Sequence, residues 1–211
     1  MHVVIVGGHA RTALLLGQLL TAGGHQVTGT VRDPTQAADL SAVAMRAAVV
    51  DLEHTTTAAL ARLLTGYDAV VYAAGAGYGS STRQKTAIDR DAAIGTIDAA
   101  RLFGVRRFVM ISSMGADLPT PPGAFGTYLR LKAEADEYVR SADLDWTIVR
   151  PSGLTDGPAT GKIRVGRRLT GGALPRADLA ALLARVLVHR DAVQRQFDVT
   201  GGTQDLATVA L

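Results

Sequence analysis

Cysteine is absent from the 211 residues, which excludes disulfide staples and thiolate metal sites, and nothing in the chain calls for an oxidising compartment. Aromatic residues make up only 5% and are not interleaved with the basic ones, which spread along the whole length. A net charge of +3 therefore carries no nucleic-acid footprint. The five histidines, His2, His9, His25, His54 and His189, show no ligand spacing, so no metal is expected. No apolar run approaches the roughly 18 residues that a membrane span needs, and no basic or cleavable leader precedes the first apolar run. The expectation is a cytoplasmic protein that engages neither membrane nor nucleic acid.

What is present is a core-forming composition, 47% hydrophobic against 19% charged, which argues against disorder. The length suits one domain spanning residues 1–211. Short β-rich apolar runs alternate with helical patterns, the signature of repeated βαβ units. Strands are predicted at His2–Val6, Gln26–Val31, Arg46–Val50, Ala69–Ala73, Arg106–Ile111, Trp146–Arg150 and Gln196–Thr200. Leu15, Leu16, Leu19 and Leu20 recur at helical spacing before Gly23-Gly24, and a long helix over Arg83–Phe103 stops at Gly104 in the same way. The fold class is therefore α/β, a doubly wound parallel sheet with a small C-terminal portion on the substrate side. Three stretches, Gly75–Thr82, Gly115–Thr127 and Ser152–Gly172, interrupt the alternation after strand ends. In open α/β sheets those are the places where ligands bind.

The first strand runs straight into Gly7-Gly8-His9-Ala10-Arg11-Thr12-Ala13 and then into a helix. Unpaired backbone N–H groups and the helix dipole attract an anion at such a junction, so this is the pyrophosphate end of a Rossmann unit. Ala10 and Ala13 stand where a dinucleotide turn carries its later glycines. The methyl is tolerable at Ala13 and crowds the phosphates at Ala10. The second strand ends in Arg32, where an acidic residue would bind the ribose 2′-hydroxyl of NAD. A guanidinium there suits a 2′-phosphate, with Arg11 as a second jaw, so NADP is preferred and NAD remains possible. Asp33 precedes Pro34 and has a structural explanation as a helix cap.

A second constellation follows the fifth strand, where Ser112-Ser113 is trailed by Tyr128 and Lys132, four apart and on one helix face. Of 22 basic residues only Lys85, Lys132 and Lys162 are lysines, so a lysine at this spot suggests a need for a compact ammonium. Ser113, Tyr128 and Lys132 can together polarise a carbonyl, protonate a developing alkoxide and hold a ribose. Between glycines in the last loop lie Lys162, Arg164, Arg167 and Arg168. These read first as a solvated loop or strand pair, and second as a basic lid over an anion. Pro175-Arg176-Ala177-Asp178 opens the next helix, with Arg176 and Asp178 serving its terminus.

On these residues the chain resembles the short-chain dehydrogenase/reductase superfamily, and within it the compact NmrA-like NAD(P)H-binding branch. The marks are the Gly7–Ala13 turn, Val31-Arg32-Asp33-Pro34, Asp51-Leu52, Ala73-Ala74-Gly75, Ile111-Ser112-Ser113, Tyr128–Lys132 and Arg150-Pro151-Ser152-Gly153. The resemblance implies that Gly7, His9, Ala10, Arg11 and Thr12 meet the phosphates. It also implies that Asp51 and Leu52 border the adenine, and that Ala73, Ala74 and Gly75 underlie the adenosine ribose. Ser113, Tyr128 and Lys132 fall on the catalytic set, and Pro151, Ser152, Gly153 and Leu154 on the segment beside the nicotinamide. Asp89 departs from the pattern, standing where many extended members carry asparagine. The implied function is hydride transfer between NADP(H) and a small carbonyl-type substrate by a monomer or homodimer. A dinucleotide redox sensor without turnover is the alternative. A sugar-nucleotide epimerase or dehydratase ranks third, because little chain remains after Arg150 to hold such a substrate.

Overall fold

The structure is a computed structural model that describes residues 1–211. Strand β1 (His2–Val6) leads into helix α1 (Arg11–Ala22), then β2 (Gln26–Val31), α2 (Ala37–Ala42), β3 (Arg46–Val49), α3 (Thr57–Leu63) and β4 (Ala69–Tyr72). A longer helical rod follows, made of α4 (Thr82–Lys85), a π-helical stretch Thr86–Asp91 and α5 (Ala92–Leu102). Next come β5 (Arg107–Ile111), α6 (Ala124–Ser141), β6 (Asp145–Pro151), β7 (Gly153–Thr155), β8 (Lys162–Gly166) and β9 (Ala173–Pro175). The chain ends with α7 (Arg176–Val188), β10 (Arg195–Gly201) and β11 (Gln204–Asp205). No helix is long and apolar enough to cross a membrane.

Nine strands form one sheet in the order β11-β8-β10-β6-β5-β4-β1-β2-β3. From β3 through β10 every pairing is parallel, and only β8 is reversed, pairing antiparallel with β10 and β11 at one edge. The expected doubly wound α/β sheet is therefore present. Its central strands read as unbroken apolar runs because both faces are covered. Successive residues serve opposite cores. Val3, Ile5, Val71, Val109 and Val149 pack with α1 and α7, while Val4, Val6, Tyr72, Phe108 and Ile148 pack with α3, α5 and α6.

The caps follow their expected chemistry. Gly24 takes φ +80° after α1, with the N–H groups of Gly24 and His25 closing on Thr21 and Leu20 carbonyls, and Gly104 takes φ +74° after α5. Asp33 caps the single 3₁₀ turn Pro34–Gln36 that opens α2, accepting the Thr35 N–H at 2.9 Å.

Two expectations need correction. The Arg83–Phe103 helix starts at Thr82 and is not α-helical throughout: it passes through a π-helical stretch, Thr86–Asp91, where the Ile88 carbonyl accepts the Tyr72 hydroxyl at 2.5 Å. The Ser152–Gly172 segment is neither a plain loop nor a strand pair. Its strands join different sheets, with β7 pairing β9 in a small parallel sheet and β8 pairing β10 in the large one.

Candidate functional site

The sheet has its switch point between β1 and β4: the chain runs outward from β1 through β2 to β3, then returns to the other side of β1 as β4. Loops leaving neighbouring strands at such a point diverge and leave a crevice. A cavity of about 490 Å³ opens there, lined by the residues that follow β1, β2, β3 and β4. Of the expected cofactor residues it gathers Gly7, His9, Ala10, Arg32, Asp51, Leu52, Ala73, Ala74 and Gly75.

Its floor is shaped by glycine. Gly7 has φ +84°, and a Cβ there would stand 2.6 Å from the Ala74 backbone, while a Cβ on Gly8 would stand 2.5 Å from Gly29 Cα. The turn thus packs β1 directly against its neighbours. Gly7 N–H donates to the Thr30 hydroxyl at 2.8 Å, which holds the turn in register. Beyond it α1 starts at Ala10 with no side-chain cap and no acidic residue in its first turn. The open N-terminus next to the cavity fits an anionic group. Ala10 is exposed at this rim, whereas the Ala13 methyl is fully buried in the core on the α1 side.

Polar groups ring the cavity. Arg32, with its side chain 72% exposed, lies 4.0 Å from Glu53. Asp51 is held below the usual carboxylate range, first by its hydrogen bond to His54 and then by the Glu53 N–H. His9 pairs with Asp39 at 2.7 Å. Arg11, expected as a second jaw with Arg32, pairs instead with Asp156 in the segment after β7, and Asp156 also takes Arg176 at 2.7 Å. Thr12 is buried in the first turn of α1.

Lys132 sits in α6, only 2% exposed, and forms no ion pair, and its ammonium offsets the burial of two aspartates, Asp89 and Asp136. Tyr128, one turn earlier, stacks on Phe125 at 6.1 Å. Ser113 is half-buried after β5, its hydroxyl reaching only the Met114 carbonyl at 3.4 Å. The three share the region beyond β5 without a hydrogen bond among them. Pro151 ends β6, Ser152 donates to the Thr200 hydroxyl at 2.9 Å, and Gly153 and Leu154 lie in β7. None of these four lines the adenosine-sized cavity.

Residues to which the sequence assigned no part in this site complete the frame. Asp89 is buried in the π-helical stretch, where one carboxylate oxygen accepts the Ala76 N–H at 3.3 Å and the other has no partner. Burial raises its carboxyl, partly offset by Lys132. Ser80 donates to the Ala76 carbonyl and Lys85 to the Ser80 carbonyl, closing the Gly75–Ser80 rim. Asp178 does not serve the terminus of α7. Its carboxylate accepts the N–H groups of Thr160 and Gly161 at 2.9–3.0 Å, and so anchors the chain before β8. Arg176 likewise serves Asp156 rather than the helix end.

Comparison with known proteins agrees with this geometry. Residues 7–190 match the NAD(P)H-binding family model. The chain is 34% identical to the UPF0659 protein C216.03 of Schizosaccharomyces pombe, over 94% of this chain and 89% of the relative. It is 31% identical to YhfK of Bacillus subtilis, named an uncharacterized sugar epimerase, over 98% and 97%. A solved structure from Bacillus halodurans, described as a putative NAD-dependent epimerase/dehydratase, superposes with a TM-score of 0.90 at 32% identity, covering 98% of this chain and 97% of that one.

Proposed function

The chain belongs to the NAD(P)H-binding family, and from that premise we propose that it is an NADP(H)-dependent oxidoreductase acting on a small carbonyl-type substrate. The observation that carries the reading is Lys132, a buried ammonium without an ion pair, set one helical turn from Tyr128 beyond the end of β5. Asp89 and Asp136 compensate its charge without a hydrogen bond or ion pair, which leaves the ammonium's hydrogen-bonding capacity open to a ligand.

The cofactor, when bound, supplies the hydride. The turn at Gly7–Thr12 and the N-terminus of α1 hold its pyrophosphate, Asp51 and Leu52 border the adenine, and Arg32 meets a 2′-phosphate. Ser113 donates a hydrogen bond to the substrate carbonyl oxygen. As hydride reaches the carbonyl carbon, the Tyr128 hydroxyl gives its proton to that oxygen and the alcohol forms. The Lys132 ammonium stabilises the phenolate left behind and holds the nicotinamide ribose. Pro151–Leu154 wall the nicotinamide side.

A second reading, a dinucleotide redox sensor, draws on the lack of any hydrogen bond among Ser113, Tyr128 and Lys132. One experiment separates the two. NADPH oxidation is followed with a panel of aldehydes, ketones and quinones, for the native chain and for Tyr128→Phe. The oxidoreductase reading expects turnover that falls about 10²–10⁴-fold in the variant, with the cofactor Kd unchanged. Undiminished turnover in the variant removes Tyr128 as the acid. Selective binding of one oxidation state with no turnover of any substrate selects the sensor.

A further inference from the structure

A second cavity, of about 630 Å³, shares no residue with the first. It lies over β6 and β10 beside the C-terminal end of α6, and four arginines line it: Arg140, Arg150, Arg167 and Arg168. Their states differ. Arg150 is 1% exposed and committed, with Asp136 at 2.8 Å and Asp117 at 3.0 Å. Arg140 is occupied by Gln196 at 2.5 Å and by Glu137. Arg167 and Arg168 are exposed and make no ion pair, so the wall they form is net positive and open to an anion.

The turn that presents them is built, not slack. Arg168 is one of only three non-glycine residues with positive φ, at +55°, a conformation that costs a branched or long side chain strain. What holds it is Asp198, 4% exposed on β10, whose carboxylate accepts the Leu169 N–H at 2.9 Å. Both lining carboxylates are thus already engaged, Asp117 with Arg150 and Asp198 with this backbone. Trp146 supplies apolar surface in the same cavity, while the Phe197 ring turns to the core on the α7 side.

We infer that this cavity is a binding site for a small organic anion, a carboxylate or phosphate monoester carried on a flat apolar body. Arg167 and Arg168 take the anionic group in their planar forks, and the exposed edge of Trp146 meets the apolar part. The site is independent of the dinucleotide. It is connected to the candidate reaction centre through Arg150, since Asp136 also accepts the Ser112 hydroxyl at 2.7 Å, one residue before Ser113.

The chain has a single tryptophan, so its fluorescence reports on this cavity alone. Titration with phenyl phosphate and with benzoate should give a saturable change in Trp146 emission. The stronger of the two identifies the preferred anion, and neutral benzyl alcohol should give none. In the double variant Arg167→Ala, Arg168→Gly the affinity should fall at least about tenfold. Glycine adopts positive φ without strain, so this variant keeps the turn and its thermal midpoint checks that it does. Saturating NADP⁺ should leave the titration unchanged. The proposal is overturned if neither anion gives a saturable change, if benzyl alcohol titrates equally well, if the double variant binds like the native chain, or if NADP⁺ displaces the probe.

Discussion

Arg32, to which the proposed function gives the 2′-phosphate, does not shape the fold. It is 72% exposed and its nearest carboxylate, Glu53, stands at 4.0 Å, a surface pair worth little. Arg32→Ala should therefore leave stability within about 0.5 kcal/mol. Hydrogen bonds to a charged group are worth about 1.5–3 kcal/mol, so the NADPH Kd should rise about 10–100-fold while NADH is held as before. Calorimetric titration of both cofactors checks this, and equal losses for the two would refute the 2′-phosphate contact.

Asp89 makes the opposite case, a buried group with no exposed role. Burial raises its carboxyl above the ordinary 3.8, and Lys132 offsets only part of that. A raised carboxyl binds its proton more tightly in the folded chain than in the unfolded one. Its contribution to stability is then full below about pH 3.8 and is lost as pH rises through the folded value. Asp89→Asn abolishes that titration. The variant should gain stability relative to the native chain between about pH 3.5 and pH 7 in urea unfolding, and parallel pH profiles would contradict it.

At the scale of elements, β6 carries the least expected feature, a fully buried arginine near the end of a buried strand. Arg150 and Asp136 are both buried and in contact at 2.8 Å, with Ser112 as a third partner. Arg150→Met strands the Asp136 carboxylate and should cost about 3–5 kcal/mol, whereas adding Asp136→Leu should recover most of the loss. Chemical denaturation of both variants measures this. An additive double variant would show that the two side chains are not coupled.

The same strand shows what can be read from a sequence and what cannot. The central strands are legible because a buried parallel strand must be apolar along its whole length. Strands β7, β9 and β11, of two or three residues, carry no such pattern, since their placement depends on partners far along the chain. The phosphate turn is legible because its chemistry is local, with a strand, glycines and a helix start in succession. The roles of Asp89, Asp136 and Asp178 were out of reach, although the sequence singled out the first and the last, for their partners are brought to them only by packing. Lysine scarcity proved a signal of a broader kind than catalysis. It marks Lys132, but also buried Lys85, which closes the Gly75–Ser80 rim by donating to a carbonyl.

For the whole molecule, the sheet divides into a cofactor half around β1 and a smaller half around β6–β11, and one carboxylate ties the two together. Asp156, after β7, holds Arg11 at the start of α1 on one side and Arg176 at the start of α7 on the other. The Arg11 and Asp156 side chains are 72% and 57% exposed, so this bridge adds little stability, and Asp156→Asn should lower it by less than about 1 kcal/mol. Its effect falls on the cofactor instead. In the proposed function a pyrophosphate would sit at the open N-terminus beside Arg11, and Asp156 would then compete with that phosphate for the same guanidinium. Releasing Arg11 should tighten NADPH binding several-fold at low salt, and the gain should shrink as ionic strength rises and screening weakens exposed charges. Titrations of the Asp156→Asn variant at about 20 mM and 300 mM salt test this, and weaker binding at both would mean that the bridge serves to preform the phosphate site rather than to compete for it.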